Sequence, residues 1–253
     1  MRAESSGADL DQSQAAIAAT GLKAMIPVGR PFLDYVLSAL ADSGFADACL
    51  VIGPEHSKVR DYYAHEVNVS RIRIHFAEQA KPLGTADAVL AAESFVAGDA
   101  FVVLNSDNYY PIPALEQLAL TKPPAIVGFD RATLIEHGNV PPDRVGRFGA
   151  LDIDDAGFLK RILVTPTEEM LRSGTIYASM NCWLFTAEIF SACREVPLSA
   201  RGELELPKAV QLSIDKHGVK LRVVTVREPV LDMSNRGDIA SIAERLRAVS
   251  VAL

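Results

Sequence analysis

The chain has 253 residues, 49% of them hydrophobic, which is enough to bury a large core and leads us to expect a single domain over residues 1–253. Its net charge of −7 argues against a protein that coats nucleic acid or an anionic membrane, because both tasks need a basic face. The three cysteines lack C-x-x-C spacing, which supports neither a disulfide framework nor a zinc knuckle, and no membrane span or signal peptide is evident. We therefore expect a cytoplasmic protein.

The first half of the chain alternates helical and strand-like patterns after a polar N-terminal stretch. Residues 1–20 lack a strong apolar period and predict a mobile loop or a weak helix. Helices are predicted over residues 31–43, 55–64 and 85–94, and strands over residues 48–53, 71–76, 100–104 and 125–129. This alternation predicts an α/β fold with a largely parallel sheet and helices on both faces, whose ligands would collect at the carboxyl ends of the strands.

The second half of the chain is less regular. Residues 148–153 and 158–163 flank a D-D-A-G turn and predict a hairpin. The remaining patterns predict strands over residues 179–185 and 220–226 and helices over residues 204–216 and 237–253. No internal repeat or low-complexity linker divides the sequence, which again favours one domain.

A carboxylate, Asp107, follows the strand predicted over residues 100–104, in the sequence V-V-L-N-S-D-N. Mg²⁺ takes one or two protein carboxylates and shares its other positions with substrate and water, so a carboxylate just beyond a strand is well placed to hold this ion against phosphates. On this motif alone, an interpretation in which Asp107 caps a turn and Asn108 bonds its own backbone is equally good.

A second carboxylate, Asp232, lies in V-L-D-M-S-N-R-G-D, between a predicted strand and the last predicted helix. Taken alone, Asp232 or Asp238 is more simply an N-cap of that helix. The functional interpretation depends on the pairing of Asp232 with Asp107. Two carboxylates that are distant in sequence and meet at one sheet edge would complete a cation site for phosphoryl or nucleotidyl transfer.

The stretch E-Q-A-K-P-L-G-T-A-D-A-V connects a predicted strand to a predicted helix. Its order of Pro82, Leu83, Gly84 and Thr85 lets the backbone approach a flat ligand closely, and Gln79 offers both a donor and an acceptor. Main-chain groups could recognise a planar base there. An ordinary helix entry with Thr85 near the N-cap is the slightly simpler alternative.

Other features carry weaker signals. A lone lysine such as Lys23, a few residues before Pro27, is usually a solvated surface charge. An anion site at the sheet edge would, however, need a positive charge of this type. The five histidines show no ligand spacing with one another or with cysteine, so we assign none of them to a metal. The sequence contains no G-x-S-x-G, H-E-x-x-H or G-x-x-x-x-G-K-[ST] motif, which excludes the simple serine hydrolase, zincin and P-loop classes.

The motifs follow one another in an informative order from Lys23 to about Asp238: K-A-M-I-P-V-G-R-P, P-L-G-T-A, L-N-S-D-N, R-V-G-R-F-G, S-M-N-C-W-L-F, R-G-E-L-E-L-P and L-D-M. In order and spacing they resemble the sugar-1-phosphate nucleotidyltransferases, which include glucose-1-phosphate thymidylyltransferases, uridylyltransferases and mannose-1-phosphate guanylyltransferases. The resemblance implies a Rossmann-like, mixed, mostly parallel sheet with helices on both faces. It also implies a Mg²⁺-dependent reaction in which the sugar phosphate attacks the α-phosphorus of a nucleoside triphosphate and pyrophosphate leaves. Positioning and charge neutralisation would then carry the rate.

The resemblance also implies roles for single residues. Lys23 would contact phosphate as a catalytic residue, and Asp107 and Asp232 would hold Mg²⁺. The base would be read by Gln79 and by the loop of Pro82, Leu83, Gly84 and Thr85. The sugar pocket would be formed by Gly149, Asn181 and Glu203. Trp183, the only tryptophan, is more simply a core residue than a ligand contact.

This sequence departs from the family pattern in two places. Family members begin with a strand and a glycine-rich loop, L-A-A-G-x-G-T-R-M, which wraps the triphosphate, whereas here the first residues, Met1 and Arg2, resemble only the end of that motif. We therefore expect the first strand, which normally lies in the middle of the sheet, to be missing. Either the true start lies upstream, or this product has lost both the strand and triphosphate binding.

The second departure is I-L-V-T-P at residues 162–166, where many members have E-K-P. Val164 and Thr165 cannot supply the charges that contact the sugar phosphate, so the anion would have to be met by groups such as Arg147 or Arg161. The first hypothesis remains an enzyme whose partners are a nucleoside triphosphate and a sugar 1-phosphate, with a homo-oligomer left open. The alternatives are a catalytically impaired binding module and an N-terminally truncated, poorly folded product.

Overall fold

The computed structural model describes Gln14 and residues 22–253. The mobile loop or weak helix expected over residues 1–20 therefore falls, apart from Gln14, outside the described residues. No helix in the described part of the chain is long and apolar enough to cross a bilayer.

The described residues form short helices and strands in alternation. The helices span Phe32–Asp42, Ser57–Asp61, Thr85–Ala91, Glu93–Val96, Ile112–Ala119, Arg131–Glu136, Pro142–Val145, Glu168–Ser173, Ile189–Glu195, Leu206–His217 and Asp238–Leu246, with a 3₁₀ turn at Lys23–Met25 and a π-helical turn at Tyr62–Glu66. The strands are β1 (Asp47–Ile52), β2 (Arg73–Glu78), β3 (Phe101–Val103), β4 (Asn108–Tyr109), β5 (Ala125–Asp130), β6 (Ala150–Ile153), β7 (Leu159–Leu163), β8 (Tyr177–Phe185), β9 (Arg222–Val226) and β10 (Leu231–Asp232).

The strands form one large mixed sheet and two small ones. The six-stranded sheet has the order β7-β6-β8-β5-β9, with β3 also paired to β8. Within it β5 and β9 are parallel, while β8 is antiparallel to both β3 and β5. The strands β1 and β2 form a separate parallel pair, and β10 pairs antiparallel with β4. The α/β class with a mixed sheet is thus confirmed.

Three apolar clusters form the core around these sheets. The first joins helix Phe32–Asp42 to β1, β2 and the C-terminal helix, the second joins helices Thr85–Ala91, Ile189–Glu195 and Leu206–His217 to the large sheet, and the third covers its other face. Trp183 is fully buried in the second cluster, so its prediction as a core residue is confirmed. Burying so many apolar side chains supplies the main stabilisation of the fold.

Helix Phe32–Asp42 shows how local sequence sets the element boundaries. Pro31 immediately precedes the first helical residue, a place where its fixed backbone angle is compatible with helix entry. At the other end Gly44 adopts a φ of +88°, and the Phe45 N–H donates to the carbonyl of Leu40 at 3.0 Å. This is a Schellman ending, which requires a residue that tolerates the left-handed region, so glycine at position 44 stops the helix as predicted.

The predicted closing helix over residues 237–253 is wrong in its second half. The helix ends at Leu246, and the residues after it turn back so that Val249, Val251 and Leu253 pack against the first cluster. The carbonyl of Leu253 accepts a hydrogen bond from the Ser70 N–H at 2.8 Å. Docking these apolar residues against the core outweighs the continuation of a helix that would carry them into solvent.

Candidate functional site

The first part of the candidate site lies where β3 ends. The chain leaves Val103 and turns through Asn105 and Ser106 to Asp107, whose carboxylate Oδ2 lies 3.2 Å from the Nζ of Lys23. Both side chains are about one-quarter exposed, at 27% for Asp107 and 25% for Lys23. The ion pair therefore lies at the surface of a cleft, where its charges remain accessible to a ligand.

Asp232 reaches the same place through the short β4–β10 ladder. Asp232 is paired in register with Asn108, the residue after Asp107. The next residue, Met233, donates its N–H to the carbonyl of Asp107 at 2.9 Å. Two carboxylates more than 100 positions apart in the sequence are thus brought near each other where β3 leads into the β4–β10 ladder, the convergence on which the cation-site interpretation depends.

Asp232 lies in a largely dry environment. Its side chain is only 5% exposed, and both of its oxygens accept from the Ser234 hydroxyl, at 2.8 and 2.7 Å. Burial raises the pKa of Asp232 above its ordinary value, with the negative charge of Asp107 as a further cause, while Ser234 and Arg144 act in the opposite direction. A cation bound between Asp107 and Asp232 would offset both the burial of the Asp232 charge and its repulsion by Asp107.

The backbone around Asp232 is fixed by Asn139. The Asn139 Nδ2 donates to the carbonyl of Asp232 at 2.9 Å, and its Oδ1 accepts from the Asp232 N–H at 2.8 Å. With the Asn108 amide turned to satisfy its neighbours, Asn108 Nδ2 lies 3.1 Å from Asp232 Oδ1. The carboxylate therefore has a set orientation before any ligand arrives.

Arg144 links Asp232 to Asp238. Its guanidinium donates to both oxygens of Asp238 at 2.8 to 3.1 Å, and its Nε lies 3.4 Å from Asp232 Oδ2. All three side chains are 12% exposed or less. Neither Asp232 nor Asp238 caps the last helix through its side chain, because the N-cap is Gly237. The N-cap interpretation of these two aspartates is therefore wrong, and Asp238 instead orients Arg144.

The donor set is compatible with Mg²⁺. No group of three or more His, Cys, Asp or Glu side chains suited to a metal occurs among the described residues. Mg²⁺ differs from metals that need such a cage, since it binds through one or two carboxylates and fills the remaining positions with water and substrate phosphates. Asp107 and Asp232 offer that arrangement, with hard oxygen ligands and one buried carboxylate that lacks a full countercharge.

The predicted base-reading loop packs against the segment that leads into helix Leu206–His217. The N–H of Leu204 donates to the Leu83 carbonyl at 2.7 Å, and its own carbonyl accepts from Ala86. Gly84 has a φ of +121°, and a Cβ added there would lie 2.5 Å from the Leu204 carbonyl oxygen. Glycine is thus required at position 84 by the approach of the chain's own backbone, a reason that the sequence did not reveal.

The side chains of Gln79 and Thr85 are held by other parts of the chain, whereas the tip of this loop is exposed to a ligand. Gln79 donates through Nε2 to the Gly84 carbonyl at 3.0 Å and to Asp87 at 2.8 Å, which fixes its side chain. Thr85 is the first residue of its helix, next to the N-cap Gly84, and its hydroxyl accepts from the Leu206 N–H at 2.8 Å. Pro82 and Leu83 are exposed at the tip, Leu83 at 41%.

The three predicted sugar contacts fall on separate segments. Gly149 is joined to β8 by the Ser179 N–H, which donates to its carbonyl at 2.8 Å, and a Cβ at position 149 would lie 2.3 Å from a methyl carbon of Ile162. Two residues further along β8, Asn181 has a φ of 55°, in a region that side-chain-bearing residues rarely adopt. Glu203 lies next to Leu204, half-buried beside the base-reading loop.

A large cavity of about 1360 Å³ unites part of this set. Lys23, Thr85, Asp107 and Asn181 all line it. Asp232 adjoins it through Asp107, whereas Gln79, Gly149 and Glu203 are not among its lining residues. Backbone strain at a polar residue such as Asn181 tends to occur at ligand sites, where a side chain must be aimed in one direction.

The residues at the second departure from the family pattern are exposed. Val164 is 83% exposed and carries no charge. Arg161 pairs with Asp152 at 3.4 Å, and the side chain of Arg147 is 79% exposed, within 3.9 Å of Asp143. Both arginines thus have weak surface partners that an anion could displace.

Sequence reasoning missed three residues of this site: Arg144, Asn139 and Ser234. Their contacts with Asp232 depend on tertiary structure, and none of them stands in a pattern that marks it as buried or paired. The one available signal was the motif R-V-G-R-F-G, which begins at Arg144.

Several known proteins share sequence with this chain. The family model described as Nucleotidyl transferase matches residues 16–229. A glucose-1-phosphate thymidylyltransferase from Streptomyces antibioticus is 28% identical over 229 residues, covering 88% of this chain and 60% of the relative. The bifunctional protein GlmU from Methanococcus vannielii is 29% identical over 206 residues, covering 79% of this chain and 45% of the relative. The chain thus spans about half the length of these relatives.

A solved structure shows the same fold. The crystal structure of a UDP-glucose pyrophosphorylase complexed with UDP-glucose superposes with a TM-score of 0.70 at 14% identity, over 89% of this chain and 90% of that one. At this identity the likeness concerns the fold, and it supports the Rossmann-like mixed sheet expected from the sequence.

Proposed function

The chain belongs to the sugar-phosphate nucleotidyltransferase family, and from this premise we propose that it joins a nucleoside triphosphate and a sugar 1-phosphate, giving a nucleotide sugar and pyrophosphate. One observation carries the proposal. Lys23 and Asp107 form an ion pair at the end of β3, and the β4–β10 ladder holds the buried carboxylate of Asp232 beside them. A lysine charge and two carboxylates where β3 leads into the β4–β10 ladder are what phosphate binding and phosphate charge neutralisation need.

In the proposed reaction, an oxygen of the sugar phosphate attacks the α-phosphorus of the triphosphate. A new phosphorus–oxygen bond forms, and the bond to the β-phosphate oxygen breaks with pyrophosphate as the leaving group. Lys23 contacts the phosphates and offsets the charge that develops on their oxygens. Asp107 and Asp232 would hold Mg²⁺, which when bound supplies further neutralisation of phosphate charge. Arg144 and Ser234 keep the Asp232 carboxylate oriented.

Specificity is assigned to the two flanking segments. Gln79 and the loop of Pro82, Leu83, Gly84 and Thr85 would contact the base, mainly through main-chain groups at the exposed tip of the loop. Sugar hydroxyls would be bound by Asn181 and Glu203, with the small residue Gly149 shaping the pocket. These contacts position the substrates, which is the larger part of catalysis when little covalent chemistry falls to the protein.

The proposal is tested by pyrophosphate release. The purified 253-residue chain is incubated with Mg²⁺, each of four nucleoside triphosphates and several hexose 1-phosphates, and with either substrate alone. Release that requires both substrates, together with a nucleotide sugar identified by mass spectrometry, is the expected result. Absence of release with every pair would contradict the proposal for this chain.

A binding module is the second candidate, favoured by one observation. The exposed, uncharged Val164 and Thr165 occupy the segment where sugar-phosphate charges were expected, while Lys23, Asp107 and the base-reading loop keep their geometry. Such a chain would bind nucleotide without turning it over. Calorimetric titration that shows nucleotide binding, in a sample that releases no pyrophosphate, would favour this function over the enzyme.

A further inference from the structure

One buried hydroxyl group lies between two parts of the candidate site. Tyr110 follows β4, and its side chain is only 1% exposed. Its ring packs in the third apolar cluster, with its centroid 6.2 Å from that of Phe129. The hydroxyl accepts from the Asn105 N–H at 3.3 Å and donates to the Met180 carbonyl at 2.6 Å. A single oxygen atom thus contacts two segments that are distant in the sequence.

The first of these segments is the turn that carries Asp107. The Asn105 carbonyl accepts from the Asn108 N–H at 3.3 Å, and the N–H of the same Asn105 is the group that Tyr110 binds. Burial raises the pKa of Tyr110 well above its ordinary value, and the negative charge of Asp107 adds to this. The Tyr110 hydroxyl therefore stays protonated near neutral pH and remains a donor beside the turn.

The second segment is an irregular part of β8. The pairing of β8 with β5 shifts in register, and among the described strands residues 180–182 face no partner on β3, β5 or β6. A bulge of this kind leaves main-chain groups without ladder partners and turns a side chain in a new direction. Asn181, which we assign to the sugar, lies at the centre of the bulge with a φ of 55°.

Tyr110 supplies a hydrogen bond to this bulge. Met180 is only 3% exposed, and a buried carbonyl without a hydrogen bond would destabilise the fold. The Tyr110 hydroxyl donates to the Met180 carbonyl and also lies 3.4 Å from the carbonyl of Asn181. The backbone that orients Asn181 therefore shares one anchor with the turn that carries Asp107.

We propose that Tyr110 is a positioning residue whose hydroxyl sets the placement of Asn181 relative to Asp107. The inference rests on the proposed function, in which Asn181 contacts the sugar and Asp107 acts on the phosphates. The sugar-phosphate oxygen must approach the α-phosphorus in one direction, and a small displacement of either substrate lowers the rate strongly. A ring fixed by apolar packing, with one donated and one accepted hydrogen bond, holds the two segments at a constant separation.

Tyr110→Phe tests the proposal, because it keeps the ring and removes only the hydroxyl. Pyrophosphate release by the complete chain is measured with Mg²⁺, a nucleoside triphosphate and a hexose 1-phosphate. We expect kcat to fall about tenfold or more, while the KM for each substrate changes by less than about twofold. Asp107 and Asn181 remain present and still bind their own substrates, so only the alignment between the substrates is lost.

Tyr63→Phe is the matched control for loss of a buried hydroxyl. Tyr63 is 6% exposed in the first apolar cluster, and its hydroxyl donates to Asp34 Oδ1 at 2.9 Å. This variant should also lower the Tm, because it removes a buried hydrogen bond, but it should keep the wild-type kcat. A kcat loss that merely follows stability would appear equally in both variants.

Hydrogen exchange measured by mass spectrometry tests the shared anchor without turnover. In Tyr110→Phe we expect exchange to become about fivefold faster in residues 104–108 and in residues 178–182 together, the factor that corresponds to one lost hydrogen bond. Tyr63→Phe should leave exchange in both segments unchanged. Faster exchange in only one of the two segments, or in neither, would overturn the proposal.

The kinetic results separate failure of this proposal from failure of the enzymatic function. Absence of turnover in the wild type contradicts the proposed function, and the positioning role with it. Wild-type turnover together with an unchanged kcat in Tyr110→Phe overturns only the role of Tyr110. An equal loss of kcat in Tyr63→Phe, or a loss of activity in Tyr110→Phe that lies wholly in one KM, has the same consequence.

Discussion

Asp232 and Arg144 form a buried contact at 3.4 Å that couples the candidate site to the start of the C-terminal helix. Arg144 is also held by both oxygens of Asp238, so one guanidinium serves two carboxylates that water scarcely reaches. Arg144 offsets part of the repulsion among these carboxylates, although burial and the charges of Asp107 and Asp238 still raise the pKa of Asp232.

Replacement of Arg144 is expected to be the most damaging charge change near the site. Arg144→Ala leaves Asp232 and Asp238 buried without their shared partner, and loss of one partner of a buried ion pair costs about 3–5 kcal/mol of unfolding free energy. Arg144→Lys should restore only part of this, because lysine cannot bridge two carboxylates with a planar fork. Urea unfolding measures the unfolding free energy of both variants. Arg147→Ala, at a side chain that is 79% exposed, is the control and should change stability by less than about 0.5 kcal/mol. Equal effects at positions 144 and 147 would contradict the assignment.

Asp232 should give stability a distinctive pH dependence. Its pKa in the folded chain is raised above 3.8, so folding favours the protonated acid. This contribution is fully present below pH 3.8 and is lost as the pH rises through the raised pKa. The amide introduced by Asp232→Asn does not titrate, so the unfolding free energy of the wild type minus that of the variant should fall over this range. A difference that rises with pH would show that the carboxylate is stabilised instead.

Magnesium should reverse that trend if the two carboxylates bind it. A cation bound by ionised Asp232 lowers its pKa, and binding to the folded state alone raises the Tm by mass action. We therefore expect Mg²⁺ to raise the Tm of the wild type near neutral pH and to leave that of Asp232→Asn nearly unchanged. Differential scanning calorimetry in calcium-free buffer, with and without Mg²⁺, measures the Tm of both proteins. An equal shift in both proteins would place the effect elsewhere.

Gly84 should be intolerant of a side chain. At φ +121° and ψ 179° the backbone occupies a region open essentially to glycine, and the new Cβ of Gly84→Ala would lie 2.5 Å from the Leu204 carbonyl oxygen. We expect a loss of about 1–3 kcal/mol from backbone strain, increased by this clash, and weaker nucleotide binding. Gly174→Ala is the matched control, with φ +75° and no atom within 4 Å of its Cβ. Chemical denaturation should show a clearly smaller loss at position 174, and an equal loss would remove Leu204 from the explanation.

The role of Asn181 can be separated from its backbone conformation. Its φ of 55° suits glycine, so Asn181→Gly should keep the stability of the chain while removing the amide that we assign to the sugar. Asn181→Ala removes the same amide and retains a strained backbone, at a cost of about 1 kcal/mol. Both variants should raise the KM for the sugar 1-phosphate about tenfold, because roughly one hydrogen bond to the sugar is lost. The KM for the nucleotide should stay unchanged. Unchanged KM values in Asn181→Gly would exclude a sugar contact.

The parts of the site that could be predicted best are those marked by a local sequence pattern. The apolar run before Asn105 and the polar turn at Asp107 are local features, and two carboxylates near strand ends could be expected to meet at one edge. The exact partner of Asp232 could not be predicted, because Arg144 reaches it from a helix of four residues with no apolar period. Gly84 was identified correctly as a special position for an incomplete reason, since the backbone that approaches it belongs to Leu204.

The fold was predictable to a similar extent. Strands β1, β3, β5 and β8 coincide with apolar runs, whereas helix Ile112–Ala119 follows a proline and lacks an N-terminal capping side chain, so it was not predicted. The end of the last helix at Leu246 depends on contacts of Val251 and Leu253 with the first cluster. Tertiary packing decides where such an element ends, and the residue pattern within one segment does not reveal that packing.

The most direct test of the enzymatic account is pyrophosphate release by Asp107→Asn, with Asp155→Asn as its control. Asp107 is 27% exposed, so the substitution should leave the unfolding free energy nearly unchanged, and Asp155 is an exposed turn residue outside the cavity. With Mg²⁺, a nucleoside triphosphate and a hexose 1-phosphate, the account predicts that kcat falls at least about 100-fold in Asp107→Asn and stays at the wild-type value in Asp155→Asn. Wild-type turnover in a folded Asp107→Asn protein would contradict it.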